Sequence, residues 1–342
     1  MTTKDPVIGL SPRERRELFD QAGRAKVLPA VLIEKDFWVC WTLHQLFGLP
    51  GARENMIFKG GTSLSKVWGA IERFSEDIDI SLSREWLGFG GDKDPEKASS
   101  RKQRGRLLED LSSACAAKVR DEILPSLNRI FSEQLGPDGW TLEIDPEDSQ
   151  TVLFMYPTAL DTASTGEYVR RIVKIEGGAR SDRWPVEMGR VTSFVAELFP
   201  KAAAVAAEIP ILSAERTFWE KATILHAEAH RPADKATPAR FSRHYSDLAV
   251  LAGLESGKRA LERGDLRERV VIHKQIFFPA SWASMDTAVP GQFKLIPSPE
   301  RLVALEHDYQ DMRQMFFKTP PKWSEIVLRL RELEQAINAA KH

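Results

Sequence analysis

Phe58 to Ser81 reads FKGGTSLSKVWGAIERFSEDIDIS, and the reading of this stretch decides the fold. Asn55 to Lys59 is short and apolar ahead of Gly60-Gly61, the pattern of a buried strand entering a tight turn. Leu64, Val67, Trp68 and Ile71 then recur at helical spacing, which predicts a helix from about Thr62 to Glu72. From Asp77 to Ser83 the period falls to two, with Ile78, Ile80 and Leu82 on one face and Asp77, Asp79 and Ser81 on the other. The order is strand, glycine turn, helix, strand.

On such a strand Asp77 and Asp79 lie about 7 Å apart on one face, so their carboxylates can converge on a common ion. At an effective dielectric near 20 two such charges repel by roughly 2 kcal/mol, so a partly buried pair calls for a cation. Hard oxygen donors, and few of them, suit Mg²⁺ completed by substrate phosphates, with Mn²⁺ as a substitute. Gly60 and Gly61 let backbone approach a phosphate, and Thr62 and Ser63 stand at a helix N-terminus, where free N–H groups and the helix dipole attract anions. Lys66, one turn on, adds a positive charge. Taken singly, a Gly-Gly pair is usually only a turn and an Asp-x-Asp only a solvated strand face. Together and in this order they are far more specific. There is no G-x-x-x-x-G-K-[ST], Gly88-Phe89-Gly90-Gly91 does not open a helix, and Leu82 stands where a calcium loop beginning at Asp77 needs its glycine.

Outward from this stretch, Ser11-Pro12-Arg13-Glu14 predicts a capped helix to about Arg24, and a second helix follows over about Leu32 to Phe47. Arg84 to Ser100 reads as a Gly-rich charged loop, followed by a long helix from Lys102 to Glu133 that Pro125 interrupts. Trp140 to Ile144, Thr151 to Tyr156 and Val169 to Glu176 alternate as strands, extending one mixed sheet to about Phe199. Beyond Ser213 the pattern is helical except over Phe278 to Ile296. The expected architecture is α/β: a small mixed sheet flanked by helices over residues 1–205, then a mainly helical domain over 206–342 that contributes to the active cleft.

With 48 Lys and Arg against 49 Asp and Glu, the net charge of −1 gives no global signal for nucleic acid or an anionic membrane. Two cysteines, Cys40 and Cys115, form no ligand spacing, which points to a reducing cytoplasm. No signal peptide or membrane segment is visible.

Gly60-Gly61-Thr62-Ser63-Leu64-Ser65-Lys66 followed by Arg73-Phe74-Ser75-Glu76-Asp77-Ile78-Asp79 resembles the first motif of the AbiEii/AbiGii toxin family, abortive-infection nucleotidyltransferases of the DNA polymerase β-like superfamily. Lys174-Ile175-Glu176 is similar to the second motif, Glu215 to Lys221 to the third and Ser242 to Leu248 to the fourth, so the resemblance covers nearly the whole chain. It implies a nucleotidyltransferase fold and a toxin of a toxin–antitoxin pair used in phage defence, neutralised by a separately encoded antitoxin. The implied reaction is Mg²⁺-dependent attack of an acceptor hydroxyl on the α-phosphate of an NTP, with tRNA the leading acceptor. By the resemblance Asp77 and Asp79 hold metal, and Gly60, Gly61, Thr62, Ser63, Lys66, Arg73, Ser75 and Lys221 contact the nucleotide. Glu176 activates the acceptor hydroxyl, and Asp247 orients Lys221 or a metal-bound water. Other expectations are transfer to a protein side chain and, from a different class, a GTP- or ATP-binding regulator without turnover.

Periodicity alone puts Lys221 at the border of the apolar stripe Phe218, Ala222 and Leu225, where a lysine ordinarily reaches for solvent. It makes Glu176 equally a salt-bridge partner of Lys174 or Arg180, and Asp247 a surface partner of Arg243. His226-Ala227-Glu228-Ala229-His230 lacks the H-E-x-x-H order, and Glu228 lies nearly opposite the two histidines. The densest basic clusters, Arg101, Lys102, Arg104 and Arg106, then Arg170, Arg171 and Lys174, are candidate acceptor contacts.

Overall fold

A computed structural model describes residues 5–71, 73–75, 77–160, 170–201 and 207–340. The chain divides into two compact units, one of the described residues through Val67 and from Ser75 to Ile211, the other of those within 68–74 and from Leu212 onward.

The first unit is built on a seven-stranded sheet in the order β3-β4-β5-β2-β1-β7-β6. Its strands are β1 (Met56–Lys59), β2 (Asp77–Leu82), β3 (Thr141–Asp145), β4 (Asp148–Met155), β5 (Ile172–Gly178), β6 (Val186–Val191) and β7 (Ala207–Leu212). The sheet is mixed: β2 runs antiparallel to β1 and parallel to β5, while β4 runs antiparallel to both β3 and β5. In the centre Ile78, Ile80 and Leu82 are buried, while Asp77 and Asp79 on the opposite face are half-buried, as period-two alternation requires. β7 was not expected from the sequence, which places the end of the sheet near Phe199. It pairs in parallel with β1, Phe58 opposite Ile211, and Pro210 inside it obscures the strand pattern.

The helices of this unit are α1 (Pro6–Gly9), α2 (Pro12–Lys26), α3 (Ala30–Phe47), α4 (Ala52–Asn55), α5 (Gly60–Lys66), α6 (Arg101–Lys118), α7 (Leu124–Leu135) and α8 (Phe194–Leu198). Ser11 caps α2 in a reciprocal box with Glu14, as the sequence predicts. Between α6 and α7 the helix widens into a π-turn over Val119–Ile123. Pro125 explains it, because its ring and missing N–H disturb the preceding turn without ending the helix. The apolar face of the sheet meets α3 and α7 through an aromatic cluster: Trp38 to Phe154 at 5.8 Å, Trp41 to Phe131 at 4.6 Å and Phe131 to Phe154 at 4.7 Å between ring centroids.

Within this packed helix α3, three consecutive charged residues, Glu34, Lys35 and Asp36, are also buried. Each has a different distant partner. Glu34 accepts from the Ala159 amide and the Thr158 hydroxyl, Lys35 donates to the Arg170 carbonyl, and Asp36 accepts from the Phe194 amide and pairs with Lys66.

The helix predicted from Thr62 to Glu72 is shorter than its apolar spacing suggests. It ends at Lys66, and Gly69 follows with φ +55°. Ile71 and Phe74 are buried nonetheless, as part of the second unit.

The second unit contains α9 (Ala214–Ala229), α10 (Ser242–Ala252), α11 (Glu255–Glu262), α12 (Gly264–Phe277), α13 (Pro299–Asp311) and α14 (Trp323–Ala339). Phe218, Ala222 and Leu225 of α9, Tyr245, Leu248 and Leu251 of α10, and Ile326, Leu330, Leu333 and Ile337 of α14 are buried at helical spacing. The non-helical stretch expected over 278–296 is held against α14, where Glu334 accepts from the Leu295 and Ile296 amides and Asn338 bonds both backbone groups of Phe293. Among the described residues no helix is long and apolar enough to cross a membrane.

Candidate functional site

The site residues fall into two groups, one on each unit. On the first, three strands bring Lys59, Asp79 and Glu176 into one row, Lys59 opposite Asp79 on the β1 side and Glu176 opposite Asp79 on the β5 side. Asp77 stands one step along, opposite Lys174, which pairs instead with Asp145 at 3.2 Å. Burial, followed by the charges of Asp79 and Asp77, pushes the Glu176 carboxyl up to about 7. Asp77, Asp79 and Glu176 thus stand on two neighbouring strands, with Lys59 and Lys174 beside them. Lys59 Nζ is 3.8 Å from Asp79 Oδ1.

The glycine turn is folded directly onto this acidic row. Gly60 has φ +80°, and a Cβ placed on it would stand 1.9 Å from Asp79 Oδ2. Only glycine satisfies both constraints. Gly60→Ala is expected to displace the Asp79 carboxylate by about an ångström and to lower nucleotide transfer at least about a hundredfold, with the circular dichroism spectrum unchanged; near-normal transfer rates would refute this reading of the turn.

Thr62 and Ser63 are buried and their hydroxyls are engaged within the turn. Thr62 donates to the Asp77 carbonyl and lies 3.0 Å from the Ser75 hydroxyl, and Ser63 donates to the Gly60 carbonyl at 2.9 Å. They tie the turn to the start of β2. Lys66 lies at the far end of α5, paired with Asp36 and 3.8 Å from the centroid of the Phe194 ring.

On the second unit Asp247 is buried between two cations. Arg73 grips it with both ends of its fork, Nε to Oδ1 at 2.8 Å and Nη2 to Oδ2 at 2.7 Å, and Lys221 Nζ donates to Oδ2 at 2.8 Å. Burial works to raise the Asp247 carboxyl, but Arg73 and Lys221 outweigh it and hold it well below the usual carboxylate range. Burial, assisted by the charge of Arg73 and only partly offset by Asp247, lowers Lys221 from the ordinary lysine value. Arg73 and Lys221 thus share one buried carboxylate. Arg73 is secured further by a bridge to Phe316, and its neighbour Phe74 donates its amide to the Met315 carbonyl at 2.6 Å.

The family model for the nucleotidyl transferase AbiEii toxin of type IV toxin–antitoxin systems matches residues 41–338, which takes in both groups of residues. The chain belongs to the AbiEii toxin family. As an AbiEii protein it is a nucleotidyltransferase toxin, and its type IV system implies a nucleotide substrate and a cognate antitoxin. Among solved structures it is similar to MenT4, a nucleotidyltransferase toxin from Mycobacterium tuberculosis H37Rv, with 14% sequence identity, a TM-score of 0.43 and coverage of 95% of this chain and 99% of that one. Comparison with curated protein sequences gives no match.

Among the described residues of this AbiEii chain, the donors of one strand face fit a divalent metal. Asp77 and Asp79 offer hard oxygen donors on one strand face, beside a third carboxylate and a turn that approaches closely enough to exclude even a methyl group. Among the described residues no group of three or more His, Cys, Asp or Glu forms a metal cage of its own. A pair of carboxylates is what Mg²⁺ ordinarily takes from protein, since it keeps waters and binds substrate phosphates.

In the same AbiEii chain His226 and Glu228 are committed elsewhere. The Lys294 amide donates to His226 Nδ1, so Nε2 carries the proton and donates to the Ser284 carbonyl at 3.0 Å. Glu228 is fully buried against Arg231, Arg301 and Thr237. Burial pushes His226 down to about 4 despite the Ser284 carbonyl. Below about 6.5 the unfolded chain takes up a proton that folded His226 refuses until about 4. Stability is therefore expected to fall by roughly 3 kcal/mol as pH drops across that window. Urea unfolding at a series of pH values tests this, and a His226→Gln variant with the same slope as wild type would count against it.

Sequence reasoning had no means of finding Lys59 as a partner of Asp79 or Asp36 as a partner of Lys66. The first needed the strand register, and the second needed the packing of α3.

Proposed function

We propose that the enzyme transfers NMP from an NTP to the 3′ end of tRNA with Mg²⁺, in the cytoplasm, as a toxin acting in phage defence. The observation that supports this reading is the close approach of the Gly60 turn to Asp79, a glycine turn in contact with an acidic strand face, where a phosphate and a cation would be held side by side. Asp77 and Asp79 would hold Mg²⁺ or Mn²⁺, which when bound supplies positive charge to the triphosphate oxygens.

The chain's own residues would do the rest. The amides opened by Gly60 and Gly61 would receive a phosphate, while Thr62, Ser63 and Ser75 keep the turn in shape through their hydroxyls. Lys221 would meet charge developing on the leaving pyrophosphate, and Asp247, kept ionised by Arg73, would hold that amine in position. Glu176 would accept the proton of the acceptor hydroxyl as its oxygen bonds to the α-phosphorus. An RNA acceptor suits the exposed basic turn Arg101, Lys102 and Arg106 at the start of α6.

The test is incubation with each labelled NTP and Mg²⁺, with total tRNA or with cell protein, beside Asp79→Asn. Label in tRNA from wild type alone supports the reading. Label in protein would replace the acceptor, and nucleotide binding with no transfer would leave only a regulator.

A further inference from the structure

Lys59 is the residue of the acidic row that none of the roles above uses. It precedes Gly60 as the cap position of α5, and β1 places it directly across from Asp79. Its amine is 3.8 Å from Asp79 Oδ1, beyond hydrogen-bond length, with both side chains partly open to solvent at 23% and 26% exposure. The contrast with Lys66 is informative. Lys66 and Asp36 are sealed in the core as a fixed strut, whereas Lys59 and Asp79 are close enough to neutralise each other but not locked together.

We infer that Lys59 is an internal counter-ion of Asp79, standing near it when no metal is bound and yielding that carboxylate to the divalent cation. This rests on the metal role proposed for Asp77 and Asp79. The physical reason is charge balance on a half-buried strand face, where Asp79 stands between Lys59 and Glu176 and two residues from Asp77, so that removing Lys59 takes away a nearby ammonium from neighbouring carboxylates. A tethered ammonium relieves their mutual repulsion when no metal is bound. It also competes with the metal, so a bare ion binds more weakly than one arriving with a triphosphate, whose negative charge can take over the displaced lysine. Lys59 is a positioning residue in this scheme, because it sets when Asp79 is available.

The inference is tested by direct binding of Mn²⁺ to the full-length protein without nucleotide, followed by the electron paramagnetic resonance signal of free Mn²⁺. Lys59→Met is expected to tighten Mn²⁺ binding about five- to tenfold, with Lys59→Gln alike and Lys59→Arg within about twofold of wild type. Tighter binding on removal of a side chain is something a merely structural lysine would not produce. Equal or weaker binding by both Lys59→Met and Lys59→Gln overturns the counter-ion role, as does no detectable Mn²⁺ binding by any of the proteins. Melting temperatures of the variants show that each is folded. Asp79→Asn separates the two levels: if it binds Mn²⁺ as wild type does, the metal role of Asp79 fails, whereas loss of binding there with an unchanged Lys59→Met rejects the counter-ion alone.

Discussion

Asp79→Asn is expected to lower nucleotide transfer at least about a thousandfold, close to 4 kcal/mol of transition-state stabilisation, while leaving the melting temperature within a few degrees of wild type. Asparagine keeps the shape of the side chain and its fit under Gly60, so the turn has no reason to move. What disappears is one negative charge and one anionic oxygen at the position proposed to face the divalent cation. The loss should resist excess Mg²⁺, because a neutral amide is a poor ligand at any concentration. Asp77→Asn should behave alike, since the two share one strand face. Initial rates with labelled NTP at saturating metal provide the measurement. More than a tenth of wild-type activity in Asp79→Asn would exclude it from the metal site.

Asp247→Ala is expected to act on stability as much as on rate, costing about 3–5 kcal/mol. The substitution deletes the shared partner of Arg73 and Lys221 and leaves two desolvated cations facing each other, with side chains 3% and 8% exposed. Asp247→Asn should cost less, because an amide oxygen still accepts hydrogen bonds from both. Arg73→Met should partly rescue Asp247→Ala by removing one of the stranded charges, a sign of coupling that independent sites would not give. Urea unfolding of wild type, the three single variants and the Arg73→Met/Asp247→Ala double variant reads this out. Stability losses that simply add would mean the cluster is not one unit.

The elements at the centre of the first unit were legible because each has a strong local signature. Ile78, Ile80 and Leu82 alternate cleanly, Gly60-Gly61 breaks the chain, and Ser11 to Glu14 is a reciprocal cap. The errors came where an apolar residue serves something other than its own element. Trp68 and Ile71 fall at helical spacing but lie beyond the end of α5, on either side of a left-handed Gly69, so periodicity overran the helix. β7 escaped because Pro210 sits within a strand of ordinary burial.

The candidate site was legible in its residue types and less so in its partners. Spacing put Asp77 and Asp79 on one face, as the strand shows. It could not reveal that Arg73 grips Asp247, 174 residues away in sequence. Nor could it tell a phosphate-seeking lysine from Lys66, whose charge is met by Asp36 inside the core. Contacts at that separation depend on packing, and a lone sequence carries no record of it.

The run Glu34-Lys35-Asp36 sets the tolerance of α3 to change. Successive residues on a helix point about 100° apart, so these three anchors face across roughly 200° of its circumference. Rotation or sliding of the helix would break at least one of them, which fixes its phase by polar bonds rather than by oily contact. Leu43, Leu46 and Val39 are thereby freed from that duty and can exchange among aliphatic residues of similar volume at small cost. The three charged positions admit no such exchange, and drift in related chains should be slowest where a hydropathy plot would have placed the surface.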